Sequence, residues 1–462
     1  MVFSSLKLKA LLIVPVLSAV FFCIHNSEAQ VIFSDIQDSK YKDSIEFLAK
    51  RGIVEGYTDG TFRPLQKINR AEILKIILEA NPTEEIGAQT GCFRDVQTQW
   101  YSKYVCYAKE KGIISGYPDK TFKPAQNVNI AEALKMGIES FPVKITDSGG
   151  DWYQKYIDFS HNNNIFSKYS ILPQGYMTRG QMAFLIHKLI LNKEGTEKFT
   201  GKRDSSSPGC GKIPPANPPV SFTVNGLIRH SITVVPSNYN KNTPLSLIFA
   251  FHGRTNPNTM VRTYYKVEQA SKGQAIMVYP AGLPEEGPSR SWSDSGDKSD
   301  QLRDFKFFDT ILDDISENYC VDMDEIYVVG HSLGAWFTNS LACARGDVIR
   351  AIGSVGGGTT INECTGPVAA LIMHNPKDNL ASFSSGETAR DQLLKQDQCS
   401  SKTVATEPRE YNCVEYQECN ENAPVIWCPH NDSTEYGGAY YPHTWPDRAG
   451  QDIWSFFKSL ND

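Results

Sequence analysis

The chain has 462 residues, of which 40% are hydrophobic and 21% are charged, and its formal net charge is -6 at pH 7. A chain of this length exceeds what one hydrophobic core usually holds, so we expect two or more domains. The acidic balance argues against a nucleic-acid partner, which would require a basic face.

The first residues have the order of a secretory signal. Two lysines precede an apolar run over residues 10–24, and small side chains follow at Ser27 and Ala29. This order predicts a signal peptide over residues 1–29 and export of the remaining chain. The alternative is a membrane anchor, but a helix of this run would span about 23 Å, less than the ~30 Å hydrocarbon core. We therefore expect no transmembrane anchor after cleavage.

The cysteine content agrees with export. Loss of Cys23 with the signal leaves ten cysteines, which predicts up to five disulfides in an oxidising compartment. The spacing favours three pairs, Cys92–Cys106, Cys399–Cys428 and Cys413–Cys419. It does not assign partners to the other four, Cys210, Cys320, Cys343 and Cys364. No C-x-x-C pair is present, so zinc or another metal is not expected.

The N-terminal half contains an internal repeat with a period of about sixty residues. The run GYTDGTFRP at residues 56–64 recurs as GYPDKTFKP at residues 116–124. Each run is followed by an asparagine, Asn69 or Asn129, that stands three residues before a glutamate. This spacing is typical of a capping box, so it predicts that a helix begins directly after each asparagine.

A helix is also predicted before each glycine-rich run, over residues 41–50 and 101–111. A third, degenerate copy extends from Asp151 to Met182 and retains Thr178 as a helix cap with Gln181 three residues later. Each unit is therefore a helix, a loop and a second helix. Units of this size rarely bury a hydrophobic face alone, so we expect the three to pack together.

These motifs resemble the S-layer homology (SLH) repeat, which occurs in threes and binds anionic cell-wall polysaccharide at the bacterial surface. The resemblance covers about residues 31–192 and implies repeats over residues 31–85, 90–145 and 150–192. It also implies that the exported chain is retained at the cell wall or S-layer, with envelope polysaccharide as its partner.

The resemblance implies a set of glycan-binding residues. The basic residue of the family motif, which contacts the polysaccharide, corresponds to Arg70 in the first copy and Arg179 in the third. The second copy has Ile130 at this position. Asp59 and Asp119 of the two glycine-rich runs are further candidates for glycan binding.

Residues 193–219 differ in composition from both halves. They are rich in Lys, Glu, Ser, Gly and Pro and show no hydrophobic period. This composition predicts a linker that is semi-extended where prolines cluster. Its expected role is to hold the second half away from the surface that the repeats bind.

Residues 220–462 alternate between apolar runs of strand length and helical segments. Strands are predicted over residues 245–251, 275–279, 325–329 and 369–373, and helices over residues 306–319, 335–344, 386–395 and 448–460. This alternation predicts an α/β domain with a mostly parallel sheet and helices on both faces.

The sequence GHSLG at residues 330–334 carries the chemistry of this domain. It follows an apolar strand directly and leads into a helix. Strand, glycine-flanked serine and helix in this order are typical of a nucleophile elbow, which raises the serine hydroxyl above the sheet. Ser332 is therefore the predicted nucleophile, and the helix N-terminus would stabilise the negative charge that develops there.

A serine hydroxyl requires a base, and the base requires an acid to orient it. In this fold the chain order is Ser, then Asp or Glu, then His. His443 is the favoured base because its loop precedes the last helix; His430 is the alternative, and His374 comes too early. Asp378 is the favoured acid because it follows an apolar predicted strand.

The oxyanion of an acyl-transfer intermediate requires two donors. We predict the backbone N–H groups of Leu333 and of Arg254, which follows a strand and a His-Gly pair. Trp292, Tyr441 and Trp445 are candidates for lining the substrate pocket. For Trp292, a buried aromatic in the core is an equal alternative.

Several motifs of the second half occur together in one known group of enzymes. They are Cys210, the pairs 252–253 (HG) and 279–280 (YP), Trp292, the GHSLG run and residues 443–446 (HTWP). The combination resembles secreted feruloyl esterases and polyhydroxybutyrate-depolymerase-like esterases of the α/β-hydrolase superfamily. The resemblance covers residues 208–462 and implies hydrolysis of esters on plant polysaccharides, of polyhydroxyalkanoate or of related small esters.

We therefore expect a cell-surface serine carboxylic-ester hydrolase that releases feruloyl or acetyl groups from polysaccharide. One alternative is a polyhydroxyalkanoate depolymerase, whose substrate is a polyester. An alternative of another class is a non-catalytic envelope glycan-binding protein that retains a hydrolase fold. No metal or organic cofactor is expected, because the triad supplies both nucleophile and base.

Overall fold

The computed structural model describes residues 33–460 except 38, 83–84, 147–149, 167–170, 172, 201–203, 286–289, 294–297, 360–363, 365, 421–422 and 437–438. The predicted signal peptide, residues 1–29, lies outside the described residues. Within the described ranges, no helix combines the length and the hydropathy that crossing a bilayer requires.

Residues 33–193 form a helical region. Its described helices are α1 (Lys42–Lys50), α2 (Arg70–Ala80), α3 (Ser102–Glu110), α4 (Ile130–Glu139), α5 (Gln154–Asn162) and α6 (Arg179–Lys193). The helices α2, α4 and α6 begin directly after the predicted caps. The side chains of Asn69, Asn129 and Thr178 each accept a hydrogen bond from the backbone N–H three residues later. The predicted helix starts are therefore confirmed.

The three repeats close into a ring around a triangle of backbone hydrogen bonds. The N–H of Ile68 donates to the Met177 oxygen, the N–H of Met177 to the Val128 oxygen, and the N–H of Val128 to the Ile68 oxygen. Each of these bonds is 3.0 Å long, and none of the three residues is exposed. Each bond joins a different pair of repeats, so the repeats share one hydrophobic core, as their size requires.

Residues 204–460 form a sheet region. Ten of its described strands belong to one sheet: β1 (Ser221–Val224), β2 (Leu227–Val234), β3 (Leu245–Phe251), β4 (Ala275–Pro280), β7 (Val321–His331), β8 (Ala351–Val355), β9 (Ala369–Met373), β10 (Thr403–Ala405), β11 (Val414–Tyr416) and β12 (Val425–Cys428). Their order is β1-β2-β4-β3-β7-β8-β9-β12-β11-β10. Neighbours from β4 to β12 are parallel, and the two strands at each edge are antiparallel. Two hairpins lie outside this sheet, β5 (Leu283–Pro284) with β6 (Arg290–Ser291) and β13 (Thr434–Tyr436) with β14 (Ala439–Tyr441).

Helices cover both faces of the sheet. They are α7 (Asn258–Tyr264), α8 (Val267–Ser271), α9 (Lys298–Asn318), α10 (Leu333–Ala344), α11 (Phe383–Gln396) and α12 (Ala449–Ser459). Successive residues of β3 alternate between two cores: Phe249 packs with α9 and α10, whereas Ile248 and Ala250 pack with α7, α8 and α12. Burial on both faces explains the continuous apolar runs that predicted these strands. The predicted α/β architecture with a mostly parallel sheet is confirmed.

The segment predicted as a linker, residues 193–219, is only partly a spacer. The N–H of Met323 donates to the Ser205 oxygen at 2.8 Å, and the N–H of Ser207 donates to the Val321 oxygen at 2.8 Å. A disulfide then joins Cys210 to Cys320, the residue directly before β7. From Ser205 onward the chain therefore belongs to the sheet region. Composition missed this because backbone groups make most of these contacts.

The described residues contain five disulfides, Cys92–Cys106, Cys210–Cys320, Cys343–Cys364, Cys399–Cys419 and Cys413–Cys428. The predicted pair Cys92–Cys106 is confirmed, whereas the predicted pairs Cys399–Cys428 and Cys413–Cys419 are wrong. The strands β11 and β12 are antiparallel with Val414 opposite Trp427, which places Cys413 opposite Cys428. Strand register therefore decides these pairings, and sequence spacing does not contain it.

Candidate functional site

Ser332 lies in a tight turn between β7 and α10, at the carboxyl edge of the parallel strands. Its backbone has φ 56° and ψ -127°, a strained conformation for a residue with a side chain. Glycines on both sides permit the turn, because a Cβ at Gly330 would lie 2.3 Å from the Gly334 oxygen, and one at Gly334 would lie 2.1 Å from the Phe251 oxygen. The Ser332 N–H donates to the Val355 oxygen at 3.0 Å, which ties the turn to β8.

The predicted base and acid meet at this edge. Nδ1 of His443 lies 2.6 Å from Oδ2 of Asp378, and both side chains are buried. The other oxygen of Asp378 accepts hydrogen bonds from the N–H groups of Leu380 and Ala381, each at 2.9 Å. Burial acts to raise the pKa of Asp378, but these hydrogen bonds outweigh it and lower the pKa overall. The carboxylate is therefore charged and can orient the imidazole through Nδ1–H.

Gly356 connects this pair to the serine. It directly follows Val355, whose oxygen binds the Ser332 N–H, and its φ is +62°. A Cβ at Gly356 would lie 3.5 Å from both Asp378 Oδ2 and His443 Nδ1. Ser332, His443 and Asp378 thus come to one edge of the sheet. Among the described residues the Ser332 hydroxyl has no hydrogen-bond partner. The hydrogen bond between a catalytic serine and its base often forms fully only when substrate is bound.

The two predicted oxyanion donors flank the serine. Leu333 is the first residue of α10 and directly follows Ser332. Arg254 follows Gly253, and a Cβ at Gly253 would lie 3.3 Å from the Ser332 Cβ. In the described part of the chain, neither the Leu333 N–H nor the Arg254 N–H donates to another group. Both N–H groups are therefore available to donate to a bound group, so the two stay candidates for the oxyanion site.

Contacts that the sequence did not reveal hold the oxyanion loop, which we define as His252, Gly253 and Arg254. The buried ring of His252 accepts a hydrogen bond from the Gly282 N–H at its Nε2, at 2.8 Å. Its Nδ1 must therefore carry the proton and donates to the Gly253 oxygen at 2.7 Å. Burial lowers the pKa of His252 to about 4, so the ring is neutral at pH 7. The N–H of Arg290 donates to the Arg254 oxygen at 2.8 Å.

A buried ion pair holds both ends of residues 281–293. This segment carries the Gly282 and Arg290 N–H groups that bind the oxyanion loop. Nη1 of Arg229 lies 2.5 Å from Oδ1 of Asp304, and the two side chains are 1% and 0% exposed. Nη2 of Arg229 also donates to the Ala281 oxygen at 3.1 Å. Oδ2 of Asp304 accepts from the Ser293 N–H at 2.6 Å. The pair therefore connects the sheet to the oxyanion loop through this segment.

Two of the three predicted pocket residues are in the core. Trp292 is 3% exposed, and its indole N–H donates to a main-chain oxygen of the oxyanion loop. Trp445 is also 3% exposed and stacks on Tyr265 with ring centroids 3.9 Å apart. For Trp292 this burial agrees with the core alternative that the sequence left open. For Trp445 it contradicts the prediction that the indole lines the pocket, because close packing leaves no open face. Tyr441 is half-buried with its ring edge-on to His443 at 6.2 Å, so it stays a candidate.

Three further histidines surround the acid and base. Burial lowers the pKa of His331 to about 3 and that of His430 to about 4, so neither is charged at neutral pH. The ring of His331 packs against His443 with centroids 4.9 Å apart. Nε2 of His374 lies 2.9 Å from the Ala381 oxygen, beside the loop that carries the acid. His430 is 1% exposed, and the position beside the Asp378 carboxylate is held by His443.

In the helical region, the two predicted glycan-binding arginines are 5% and 7% exposed and bound to protein groups. Nε of Arg70 donates to the Phe122 oxygen at 2.9 Å, and its Nη1 lies 2.8 Å from Glu132. Nε of Arg179 donates to the Phe62 oxygen at 2.9 Å. Each arginine thus joins the second helix of one repeat to the glycine-rich run of another. Little of either side chain is therefore exposed to a ligand.

The two predicted aspartates stabilise the glycine-rich runs. Oδ1 of Asp59 accepts from the Thr61 N–H at 3.0 Å and from the Thr61 hydroxyl at 2.6 Å, and its Oδ2 pairs with Arg63 at 2.8 Å. These bonds, led by that from the Thr61 hydroxyl, lower the pKa of Asp59 to about 2. Asp119 binds Thr121 in the same way. Both carboxylates are about half exposed. Their hydrogen bonds show that each stabilises the turn of its own glycine-rich run.

A groove lies between the first and second repeats, and the second and third repeats carry the same residue types at the equivalent positions. Groove one, between α2 and α3, has a volume of about 760 Å³. Its lining includes Glu72, Lys75, Glu79, Trp100, Tyr104 and Arg179. The equivalent positions between α4 and α5, which we call groove two, hold Glu132, Lys135, Glu139, Trp152, Tyr156 and Arg70. Contacts join Arg70 to Glu132, Tyr156 to Glu139 and Lys135 to Trp152. Trp100 is 56% exposed and Trp152 is 54% exposed, so both indoles offer a face to solvent.

Comparison with known proteins divides the chain in the same way. The model of the S-layer homology domain matches residues 32–74, 93–134 and 144–183. The chain is also 30% identical over 164 residues to cell surface glycoprotein 1 of Acetivibrio thermocellus, a match that covers 30% of this chain and 7% of that protein. The three SLH domains indicate association with the cell surface.

The second half of the chain is similar to feruloyl esterases. Feruloyl esterase D of Neurospora crassa is 28% identical over 274 residues, covering 55% of this chain and 91% of that protein. Probable feruloyl esterase C of Aspergillus flavus is 30% identical over 219 residues, covering 45% of this chain and 74% of that protein. Together with the α/β sheet and the nucleophile elbow, these similarities show that the chain belongs to the feruloyl esterase family and is a carboxylic-ester hydrolase of the α/β-hydrolase type.

Proposed function

We propose that this chain is a surface-held serine esterase that releases feruloyl or acetyl groups from polysaccharide through an acyl-enzyme on Ser332. The observation that carries the proposal is the 2.6 Å contact between His443 and Asp378, at the sheet edge where Ser332 forms its strained turn. The names of the relatives favour a feruloyl ester as the substrate. The SLH domains favour a substrate that is itself a polymer near the cell surface.

In the proposed acylation step, the Ser332 Oγ attacks the ester carbonyl while His443 Nε2 takes its proton. Asp378 keeps the Nδ1–H tautomer of the imidazole and stabilises the imidazolium that forms. The N–H groups of Leu333 and Arg254 bind the oxyanion, and each such donor typically contributes about 3 kcal/mol to the transition state. His443 then gives the proton to the leaving sugar hydroxyl, and the acyl group remains on Ser332.

Deacylation repeats the same steps with water. His443 takes a proton from a water molecule, whose oxygen attacks the acyl carbonyl within the same oxyanion loop. The acid is released, and His443 returns the proton to Ser332. Every proton transfer uses one imidazole, so the proposed mechanism requires no metal or organic cofactor. We propose Tyr441, beside His443, as a contact of the acyl group.

The test compares natural esters as substrates of the full chain. Ferulate released from feruloylated xylan, or acetate from acetylated xylan, is the expected result, and the Ser332→Ala variant should release neither. Faster release of 3-hydroxybutyrate from polyhydroxybutyrate would replace the proposal with a polyester depolymerase. Equal product from wild type and Ser332→Ala would indicate a non-catalytic envelope-binding protein.

We further propose that residues 31–192 hold the enzyme to an anionic polysaccharide of the cell envelope. The exposed indoles of Trp100 and Trp152 support this, because an aromatic face can stack on a sugar ring. Lys135 lies 5.8 Å from the Trp152 ring in groove two, and Lys75 and Trp100 both line groove one. These cations favour an anionic glycan.

Co-sedimentation with purified cell-wall polysaccharide tests the anchoring. A change of Trp100 and Trp152 together to alanine should weaken binding at least tenfold, or about 1.4 kcal/mol. Leu65→Ala is the matched control, since Leu65 is 76% exposed in the same region and does not line groove one. Wild-type protein that stays in the supernatant would end the anchoring proposal without affecting the esterase assignment.

A further inference from the structure

The ring of three repeats also has a third groove, between α6 and α1, and it differs from the other two at every position compared. Grooves one and two hold the same residue types at six positions: Arg, Trp, Tyr, Glu, Lys and Glu. In groove three the same positions, in the same order, hold Ile130, Lys40, Ser44, Gln181, Phe184 and Lys188. Groove three thus lacks the whole set that its two neighbours share.

Backbone contacts establish that the positions are equivalent. The first residue of each second helix donates its N–H to the loop of a neighbouring repeat: Arg70 to Gln126, Ile130 to Gly175 and Arg179 to Gln66. Each first residue therefore belongs to the groove of the repeat that it contacts. Consequently, the isoleucine of the second copy leaves groove three without an arginine, whereas groove two receives Arg70.

The sheet region covers groove three. A cavity of about 250 Å³ lies between the two regions. Its lining includes Lys40, Tyr41 and Phe184 from the helical region and Met323, Asp347 and Ile349 from the sheet region. Lys40 forms an ion pair with Asp347. Lys40 stands where the other two grooves have an exposed tryptophan, and it forms the ion pair with the sheet region.

The replacements in groove three suit a protein partner. Phe184, which stands where the other grooves have lysine, packs 5.9 Å from Phe166 and 6.2 Å from Tyr41 between ring centroids. An open groove would expose this aromatic cluster to water, which is unfavourable. Tyr41 is 8% exposed, and burial raises the pKa of its hydroxyl. The aromatic cluster and the contact between Lys40 and Asp347 therefore both lie at this one groove.

The path of the chain favours the same contact. Helix α6 ends at Lys193, and Ser205 is already bound to the sheet region through the Met323 N–H. Met323 itself lines the cavity between the regions. Phe199 still packs on Phe159 of the helical region, with ring centroids 5.4 Å apart, so only residues 200–204 connect the two regions. A short tether of this kind gives an effective concentration in the millimolar range, so a modest contact suffices for docking.

We propose that groove three is a docking site for the sheet region, so that the two regions form one rigid unit. The Ser332 edge of the sheet then keeps a fixed direction relative to grooves one and two. The chain would present two glycan grooves instead of three. That last consequence rests on the proposed anchoring function, whereas the docking does not.

Zero-length carbodiimide cross-linking of the full chain tests the contact directly. An amide between Lys40 and Asp347, identified by mass spectrometry, is the expected product. The Lys75–Glu79 pair on α2, at 3.9 Å, is the internal positive control because it lies within one helix. Recovery of the Lys75–Glu79 amide without the Lys40–Asp347 amide would overturn the docking proposal.

Two substitutions test whether the groove residues cause the docking. Phe184→Lys introduces the residue of the other grooves and should abolish the Lys40–Asp347 amide. Asp347→Lys should increase the radius of gyration measured by small-angle X-ray scattering, and it is the alternative should Phe184→Lys fail to fold. Lys135→Phe, the reverse exchange in groove two, is the matched control and should leave both measurements unchanged. Wild-type scattering in both test variants would contradict the proposal.

Esterase activity on a small soluble ester and binding to cell-wall polysaccharide should stay at wild-type levels in Phe184→Lys and Asp347→Lys. Neither residue belongs to the triad, the oxyanion loop, groove one or groove two. These two measurements therefore separate a failure of docking from a failure of the proposed enzymatic or anchoring function.

Discussion

The indole N–H of Trp292 donates a hydrogen bond to the main-chain oxygen of His252, 2.9 Å away. His252 is two residues before Arg254, whose N–H is one of the two proposed oxyanion donors. Trp292 is 3% exposed and packs parallel to Phe337 in the core, so its indole N–H connects the core to the oxyanion loop. We therefore regard Trp292 as a positioning residue.

The change Trp292→Phe keeps an aromatic ring in the core but removes the hydrogen bond to the oxyanion loop. We expect kcat on 4-nitrophenyl acetate to fall about tenfold, or about 1.4 kcal/mol, with little change in KM. The oxyanion exists mainly in the transition state, so a displaced donor affects kcat first. Trp454→Phe, in α12 with 6% exposure, is the matched control and should keep full kcat. Equal losses in both variants would assign the effect to general destabilisation.

The charge of Asp378 and the separate roles of His443 and His430 can each be tested by substitution. Asp378→Asn leaves His443 without its charged partner, and an amide can favour the wrong imidazole tautomer. Loss of the aspartate charge in a triad of this kind typically lowers kcat by about 10⁴-fold.

His430→Gln should retain most of the activity, because His443 holds the position beside the Asp378 carboxylate. A larger loss in His430→Gln than in His443→Gln would reverse the assignment of the base.

Much of the architecture follows from sequence pattern. The strand over residues 245–251 and that over 369–373 were predicted with the bounds that the structure has, because apolar runs end at polar or proline-rich segments. Ser332 was predictable because strand, turn and helix adjoin in the chain. The helix caps were predictable for the same reason, since a capping box spans only four residues.

Other features depend on contacts between distant segments and could not be predicted this way. Trp292 and Trp445 are aromatic residues near glycine or proline, and their composition does not say which face points to the core. The disulfides of the last strands depend on the register of β11 against β12. Arg70 and Arg179 matched a binding motif, but the ring of repeats buries them against carbonyl groups of neighbouring repeats.

The ion pair between Arg229 and Asp304 should make a large contribution to stability that depends on both partners. Asp304→Asn leaves the Arg229 guanidinium, which is 1% exposed, without its counter-charge. We expect the free energy of unfolding of the sheet region to fall by about 3–5 kcal/mol, measured by chemical denaturation. Asp309→Asn, which breaks the more exposed pair with Arg345, is the control and should cost less than about 1 kcal/mol. Equal losses of unfolding free energy in Asp304→Asn and Asp309→Asn would contradict a larger contribution from the buried pair.

Three neutral histidines should also make the protein sensitive to acid. Burial lowers the pKa of His252 and of His430 to about 4 and that of His331 to about 3. In the unfolded chain a histidine has a pKa of about 6.5, so below that pH the unfolded state binds more protons than the folded state. Each histidine then lowers the free energy of unfolding by about 1.4 kcal/mol per pH unit until its folded pKa is reached.

One histidine can be isolated from the other titrating groups by a difference measurement. Burial raises the pKa of Asp452 to about 6, which acts in the opposite direction between about pH 6 and pH 4, so the total slope alone is ambiguous. We expect His430→Gln to reduce the loss of stability between pH 6 and pH 4.5 by about 1.4 kcal/mol per pH unit, measured by urea unfolding. His230→Gln, at an exposed position on β2, is the matched control for the loss of a histidine. Parallel pH profiles for wild type and His430→Gln would show that His430 titrates alike in the folded and unfolded chain.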